Sequence, residues 1–514
     1  MSKKKTSQRV KQSMLSTLLG RSLSAFGGLF LLILLSRRLS PNEYGLFFTI
    51  WAMAEIAILV SNFGLIHTVY RYVSADEHHN GKIQAFGPIW KLVGLRCLSL
   101  LPVSLGLLIF PKIAGTLGTQ ILTEETVYYL AIIIFCEGIS RFYEAIFDSM
   151  MCQGRSQFTL VIRTVVRLGG YCYFLYSGDF HIQQVLWVEV AAGVSGALLG
   201  SLMLLHALLI AHPDGSADRR LHELLPSYKS IFIFVFPAYL AQVLTLTYGP
   251  DALKLILSST VGATAMAMFG FAYSLAGVIQ RYMPINLLAG VFRPVFVAAA
   301  KKEDGESMLS ILLGMCVKIN WMMILPILCF FCGGGGALLS LISGGNYSDA
   351  GSIVIIILAA LLLMAIHLTF SMYCLAQAVS WPILLATGAS SIGFPIAFVL
   401  ARNYGAVGIS IVFLLSETLW CTVCYAALYW NSKGKLKLDW FGFLRILGIA
   451  VVAIIAGECL KLLGLAWYIA APTECFLFIV MILFFMPFAK QEKIWILSIL
   501  PVSRFIRSKA AHEA

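Results

Sequence analysis

The chain has 514 residues, of which 59% are hydrophobic and 12% are charged, and its formal net charge is +12 at pH 7. The charged fraction is about half of that in a typical soluble protein. Many apolar runs of about 18 residues or more indicate helices that cross a bilayer, which excludes a soluble protein. A net positive charge can indicate nucleic-acid binding. Here the basic residues lie mostly in short links and tails, as expected for cytoplasmic loops, so we expect no nucleic-acid partner.

The first predicted helix, over 13–36, is long enough to cross a hydrocarbon core of about 30 Å. Arg21 interrupts it about two turns from its start. A guanidinium at that depth is costly unless it faces a water-filled or protein-lined space. In the polar turn that follows, Pro41 stops one helix, and Glu43 suits the first turn of the next.

The residues around this turn and in the next helix carry a family resemblance. The positions are Leu35-Ser36, Leu39, Glu43-Tyr44-Gly45, Phe47, Asn62-Phe63-Gly64-Leu65 and Arg71-Tyr72. The chain resembles the polysaccharide flippases, a Wzx-like family of O-antigen and lipid-linked oligosaccharide transporters. They belong to the multidrug/oligosaccharidyl-lipid/polysaccharide exporter superfamily.

This resemblance implies that the protein flips a lipid-linked pyrophosphate oligosaccharide across the cytoplasmic (inner) membrane by alternating access. The product would feed lipopolysaccharide or exopolysaccharide synthesis at the cell surface. Besides this substrate and membrane lipids, the implied partners are a coupling proton or sodium ion and the polysaccharide polymerase and chain-length machinery.

The apolar runs predict an all-α polytopic membrane protein with about fourteen transmembrane helices. Lys and Arg are concentrated in the tails and in the even-numbered links, so both termini are predicted to be cytoplasmic. The charged loop 211–226, which contains Pro and Gly, is predicted to be a cytoplasmic linker between two halves. The predicted helices span 13–36, 44–70, 84–110, 125–152, 157–178, 181–210, 227–250, 262–298, 308–333, 349–377, 381–400, 406–430, 440–463 and 467–488.

Residues after the linker partly repeat the pattern around the first turn at a constant offset of 222 positions. Leu35-Ser36, Leu39-Ser40, Tyr44-Gly45 and Phe47 align with Leu257-Ser258, Val261-Gly262, Met266-Ala267 and Phe269. Duplicated helical bundles are common in transporters. The predicted divisions are a six-helix N-lobe (1–210), the linker (211–226), a six-helix C-lobe (227–430), two additional helices (431–488) and a cytoplasmic tail (489–514). The tail is either an interfacial helix or a partly ordered segment.

The fourth and fifth predicted helices carry embedded charges. These are Glu137, Arg141, Glu144 and Asp148 on one stripe of the fourth helix, and Arg163 and Arg167 on one face of the fifth. The short link between the helices sets Arg163 beside Glu144, and Arg167 near Glu137 and Arg141. We expect Glu137 and Glu144 to form structural ion pairs, because unpaired charges are costly in a low dielectric. The pattern is typical either of a structural polar zipper or of one wall of a polar cavity whose arginines bind an anion.

Guanidinium groups bind phosphate bidentately and stay charged, so arginine suits the pyrophosphate that the resemblance implies. The predicted substrate-binding residues are Arg21, Arg141, Arg163, Arg167 and Arg281. The last of these would face the others from the second half.

Two acids are candidates for binding a coupling ion. Asp251 follows Tyr248-Gly249-Pro250, where a helix ends or breaks. It either stabilises the start of a new helix or binds a proton or sodium ion. Glu55 in the second predicted helix is the other candidate.

We find no catalytic triad, metal-ligand cluster or nucleotide fingerprint, so no enzyme activity, cofactor or metal is predicted. The run Gly333 to Gly336 lacks the strand and the Lys-Ser/Thr of a phosphate loop, and it is expected to loosen the end of the ninth helix. One alternative function is a cation-coupled drug or metabolite antiporter of the same superfamily, whose cavity should need acids. Another is a membrane polysaccharide polymerase or glycosyltransferase, which usually needs a sizeable outer loop.

Overall fold

The computed structural model describes residues 3–70, 86–109, 123–150, 152–211, 228–287, 289–300, 305–377, 379–489 and 492. All regular secondary structure in these residues is helical. Ten of the described helical segments are long and apolar enough to cross a membrane. The all-α multi-pass class is therefore confirmed, whereas the count of fourteen helices stays a prediction.

Helix boundaries follow the apolar runs, with several additional breaks. In chain order the helices are α1 (Lys3–Arg38), α2 (Pro41–Val60), α3 (Leu65–Thr68), α4 (Phe86–Ile109), α5 (Glu124–Ser149), α6 (Gln153–Ser177), α7 (Ile182–Ala211), α8 (Tyr228–Tyr248), α9 (Pro250–Thr260), α10 (Ala263–Tyr282), α11 (Pro284–Leu287), α12 (Ala289–Ala300), α13 (Gly305–Ser343), α14 (Ala350–Ala376), α15 (Trp381–Ser390), α16 (Gly393–Asn431), α17 (Trp440–Leu462) and α18 (Trp467–Phe485).

The turn between α1 and α2 forms as its sequence predicts. Ser40 is the N-cap of α2, and its Oγ accepts a hydrogen bond from the backbone N of Glu43 at 3.3 Å. The Glu43 Oε2 accepts one from the backbone N of Ser40 at 3.0 Å, which completes a capping box. Pro41 occupies the first helical turn, where its missing N–H costs nothing.

Pro and Gly interrupt two long helical runs of the chain. The run predicted as one helix over 262–298 is interrupted after Tyr282, because Pro284 cannot continue the hydrogen-bond ladder of α10. The ninth predicted helix, over 308–333, is interrupted at the glycine run as expected, because Gly334 leaves helical geometry, with φ −161° and ψ 15°. Helical residues resume after this kink and continue to Ser343, so α13 comprises two helical parts.

The chain divides into two compact units. The first comprises residues 1–271 and 394–409, and the second comprises 272–393 and 410–514. Residues 250–271 belong to the first unit because α9 packs on α2, where Thr49 Oγ1 lies 2.9 Å from Ser258 Oγ. The predicted linker 211–226 and tail 489–514 lie outside the described residues, except for Ala211, Ala489 and Glu492.

Close helix packing stabilises the first unit. In a bilayer the hydrophobic effect does not favour helix association, so small residues that admit close contact matter more. Along α1, Gly20 and Gly27 lie two turns apart and face α6. A Cβ on Gly20 would lie 2.6 Å from Gln157 Cβ, and one on Gly27 would lie 2.5 Å from Thr164 Cγ2. Helix α5 is central in this unit and packs against α2, α4, α6 and α7.

Two contacts in the first unit join positions 222 apart, which is the offset of the sequence repeat. Thr264 Oγ1 donates to Asn42 Oδ1 at 2.9 Å. Phe48 and Gly270 have the same spacing, and the Phe48 ring occupies the place of a Cβ on Gly270. Two bulky rings would collide there, whereas a phenylalanine facing a glycine fits.

In the second unit, α13 packs against α14, α17 and α18. The Trp321 Nε1 donates to the carbonyl O of Leu362 at 2.9 Å, which joins α13 to α14. Lys318 is fully buried, and its Nζ lies 2.6 Å from Asp439 Oδ2 and 2.7 Å from Glu492 Oε2. One lysine therefore holds the start of α17 and the segment after α18 against α13.

Candidate functional site

The embedded charges of α5 and α6 meet those of α2 and α7 in one network within the first unit. We call it the ion-pair cluster. Its members are Glu55 of α2, Glu137, Arg141 and Glu144 of α5, Arg163 and Arg167 of α6, and Glu189 of α7. The three α5 residues lie one turn apart and so share one face, which packs against the other three helices.

Glu137 is the centre of the cluster. Its Oε2 accepts a hydrogen bond from Arg163 Nη2, and its Oε1 accepts one from Arg141 Nε at 2.9 Å. The side chains of Glu137 and Arg163 are 6% and 3% exposed, so this pair is shielded from solvent and lipid. Arg163 Nη1 also lies 3.2 Å from Glu144 Oε1, in the register that the short α5–α6 link predicts.

Arg141 makes a second, bidentate pair with Glu55. Its Nη1 and Nη2 each lie 2.5 Å from one carboxylate oxygen of Glu55. Such a fork is the strongest geometry for a guanidinium and a carboxylate. The two side chains are 34% and 30% exposed, so they form the accessible edge of the cluster. Glu55, a candidate for ion coupling, is thus placed directly on a candidate substrate-binding arginine.

Arg167 has a different direct partner from the one expected. Its Nε lies 2.9 Å from Glu189 Oε2, whereas the hairpin register had placed Glu137 close to it. Helix α7 packs along α6 and supplies this carboxylate. Tyr171 OH donates to the other oxygen of Glu189 at 2.5 Å, and the Arg167 guanidinium lies over the Trp51 ring at 5.8 Å. Glu189 is therefore held from two sides.

The cluster has no surplus of positive charge. It contains four carboxylates and three guanidiniums, and each guanidinium has a carboxylate within 3.2 Å. Gly196 of α7 makes room for the Arg163 side chain, because a Cβ there would collide with it. An anion that bound here would therefore add negative charge to a site where carboxylates already outnumber guanidiniums.

The other predicted site residues lie outside this cluster. The backbone of Arg21 is helical within α1, but its side chain is outside the described residues. Arg281 is exposed in the last turn of α10, in the second unit. Asp251 lies in the first turn of α9, whose N-cap is Gly249, and its Oδ1 accepts a hydrogen bond from Lys254 Nζ at 2.8 Å.

Several polar contacts were not predicted from the sequence. In the second unit, His367 Nδ1 lies 3.0 Å from Glu417 Oε2, and the His367 ring stacks on Trp420 at 3.5 Å between centroids. In the first unit, Arg96 is 1% exposed and donates to the carbonyl O of Ile58 at 3.0 Å. Glu417 and Arg96 stand out in the sequence as charges in apolar runs. Their partners do not, because Glu417 contacts a histidine and Arg96 donates to a backbone carbonyl.

The chain is similar to known proteins in sequence and in fold. A family profile described as "Polysaccharide biosynthesis protein" matches residues 10–300. No curated protein matches the chain. Among solved structures, the lipid II flippase MurJ in an inward closed conformation has a TM-score of 0.67 at 11% identity, covering 92% of this chain and 99% of that one.

Two transporters of the MOP superfamily are also similar. An inward-facing multidrug resistance MATE family transporter has a TM-score of 0.62 at 14% identity, covering 83% of this chain and 99% of that one. A transporter from Pyrococcus furiosus, whose binding pocket is described as having reversed polarity, has a TM-score of 0.55 at 14% identity, covering 84% and 96%. At these identities the likeness establishes the fold alone.

Proposed function

The chain belongs to the polysaccharide biosynthesis protein family, and from this we propose that it flips a lipid-linked pyrophosphate oligosaccharide across the cytoplasmic membrane by alternating access. The observation that carries the proposal is the ion-pair cluster, because charges are rare within membrane-spanning helices and tend to mark substrate or ion sites. The arginine forks of this cluster match the bidentate geometry of phosphate oxygens.

In the proposed mechanism the substrate replaces the exposed carboxylates as the acceptor of the arginine hydrogen bonds. Glu55 and Glu144 are 30% and 28% exposed, whereas Glu137 is 6% exposed. The pyrophosphate would therefore take the places of Glu55 on Arg141 and Glu144 on Arg163, while Glu137 keeps both arginines oriented. A released carboxylate either hydrates or takes up a proton, which is how Glu55 would couple binding to an ion gradient.

A proton-coupled or sodium-coupled drug or metabolite antiporter is the second candidate function. The excess of carboxylates over guanidiniums in the cluster favours it, because a cationic solute could pair with Glu55 once Arg141 turned away. The charge of the transported molecule separates the two candidates. An anionic lipid-linked sugar requires Arg141 for binding, whereas a cationic solute competes with it.

The remaining features of the proposal follow from loop charge and from the family. We place both termini in the cytoplasm, with six-helix N- and C-lobes over 1–210 and 227–430 and two additional helices over 431–488. The coupling ion would be a proton or sodium ion. The flipped product would pass to a polysaccharide polymerase and its chain-length machinery. In a variant without the 12 native cysteines, labelling of a cysteine introduced at Lys433 from the inside only would agree with this orientation.

The proposed function is tested by flux measurements in proteoliposomes. The probe is a fluorescent lipid-linked pyrophosphate oligosaccharide whose sugar is read as protected or accessible to an impermeant reagent. We expect R141A to lose flipping while inserting normally, and R141K to keep a small part, since an ammonium cannot form the fork. R402A, at an exposed arginine of α16, is the matched control and should flip at the wild-type rate. Wild-type flipping by R141A would contradict the proposal.

A further inference from the structure

Glu474 in α18 is fully buried, with 0% exposure, and was not singled out from the sequence. Neither Oε1 nor Oε2 has a hydrogen-bond partner among the described residues. Buried polar groups in proteins are almost always hydrogen-bonded, so a carboxyl with both oxygens unpartnered requires an explanation. In this respect it differs from the carboxylates of the ion-pair cluster, which all have arginine partners.

The space around the Glu474 carboxyl is made by glycines on two other helices. A Cβ on Gly333 of α13 would lie 2.5 Å from Glu474 Oε1, and a Cβ on Gly457 of α17 would overlap the same carboxyl. The residue after Gly333 is Gly334, which is the point where α13 leaves helical geometry. The absence of side chains at Gly333 and Gly457 therefore leaves a niche that the Glu474 carboxyl fills.

The charged side chains near the niche, Lys461 and Glu458, form an ion pair with each other. On α17, Lys461 Nζ lies 2.6 Å from Glu458 Oε1 and also donates to the carbonyl O of Cys332 at 3.0 Å. The other titratable groups that face Glu474 are Cys329 and Cys332 of α13, with Cys475 beside it on α18. Among the residues that the structure describes, no group of three or more metal-binding side chains occurs.

An ionised carboxylate without a partner is far more costly in apolar surroundings than the neutral acid. We propose that Glu474 is a proton-binding site, whose carboxyl holds a proton while α18 is packed against α13 and α17. A cavity of about 670 Å³ adjoins the niche and shares Gly333 with it. The polar residues Ser348, Asp349 and Lys461 line this cavity. The Glu474 niche contains no residue of the ion-pair cluster, so this proposal does not rest on the proposed function.

Infrared spectroscopy of the full chain in detergent or vesicles tests this site directly. A protonated carboxylic acid has a carbonyl stretch that an ionised carboxylate lacks. At pH 7 we expect this band in the wild type and in E458Q, the matched control at the neighbouring exposed glutamate, and its loss in E474Q. Wild-type and E474Q spectra that are identical in this region would overturn the proposal.

Two further measurements test proton binding at Glu474. Adding sodium at constant pH should leave the band unchanged, and its disappearance would show that a metal cation, not a proton, occupies the niche. If E474Q does not insert, wild-type protein grown with carboxyl-labelled glutamate supplies the measurement. An isotope-shifted protonated-acid band at pH 7 is then expected, and its absence would refute proton binding.

Discussion

Replacing Arg163 by glutamine gives the sharpest test of the cluster's energetics. The Arg163 side chain is 3% exposed and hydrogen-bonds to both Glu137 and Glu144. Its removal leaves Glu137, at 6% exposure, with Arg141 as the remaining described residue in direct ionic contact with it. Breaking a buried pair on one side costs about 3–5 kcal/mol. Because Arg141 remains on Glu137, we expect the lower end of that range for R163Q.

The two partners of Arg163 should contribute unequally. In a double-mutant cycle, E137Q and R163Q should couple by about 2–3 kcal/mol, because the pair is buried and in direct contact. E144Q and R163Q should couple by about 1 kcal/mol or less, because Glu144 is 28% exposed and the atoms are 3.2 Å apart. The difference between these two coupling energies is the quantity that the structure predicts.

The assay is reversible unfolding in mixed micelles, followed by the fluorescence of the 10 tryptophans. R402Q is the control, since an exposed substitution should change the unfolding free energy by about 0.5 kcal/mol or less. If E137Q and R163Q prove additive within about 0.5 kcal/mol, no direct buried pair exists. A larger coupling for Glu144 than for Glu137 would contradict the assigned burial.

Three other predictions follow. R21A should abolish flipping of the fluorescent lipid-linked probe while the protein still inserts into the membrane normally. R21K should keep part of the activity, because an ammonium keeps the charge but lacks the bidentate fork. Full activity of R21A would exclude Arg21 from the substrate path. K318M should lower the unfolding free energy by about 3–5 kcal/mol, because Asp439 and Glu492 would lose the buried cation that both contact. An unchanged unfolding curve would mean that these two ion pairs do not stabilise the fold. Burial alone would raise the pKa of Asp439, but hydrogen bonds from Lys318 Nζ and the Gly442 N–H outweigh it and lower that pKa. The stabilisation from ionised Asp439 should therefore be fully present above the pKa of the unfolded state, about 3.9, and be lost as pH falls through the lower pKa of the folded state. D439N should remove this part of the pH dependence of the unfolding free energy.

The helical class and most helix positions were predictable because apolar length alone decides whether a segment can span a bilayer. The breaks were harder to place. The run over 262–298 is mostly apolar and contains few charges, and Pro284 stands out in it only when helix continuity is considered. The glycine run was easier to interpret, because four consecutive glycines weaken a helix visibly in the sequence, and α13 is kinked at Gly334.

The candidate site was predictable where chain connectivity fixes the geometry. Arg163 and Glu144 flank a short link, so their contact follows from counting residues along a hairpin. The partner of Arg167 is Glu189 of α7, and the partner of Arg141 is Glu55 of α2, 86 positions away. These contacts depend on which helices pack on α5 and α6, which periodicity within single helices does not specify.

The charge balance of the ion-pair cluster limits how it can bind an anion. A pyrophosphate that joined the cluster unchanged would add negative charge to a site where carboxylates already outnumber guanidiniums. In a low dielectric that repulsion would cancel the gain from the arginine forks. In the proposed mechanism, pyrophosphate binding therefore displaces a carboxylate, and Glu55 and Glu144 are the cluster acids whose side chains are exposed enough to leave. If the displaced carboxylate takes up a proton, substrate binding and proton uptake are linked, and because linkage is reciprocal a proton gradient would bias the direction of flipping.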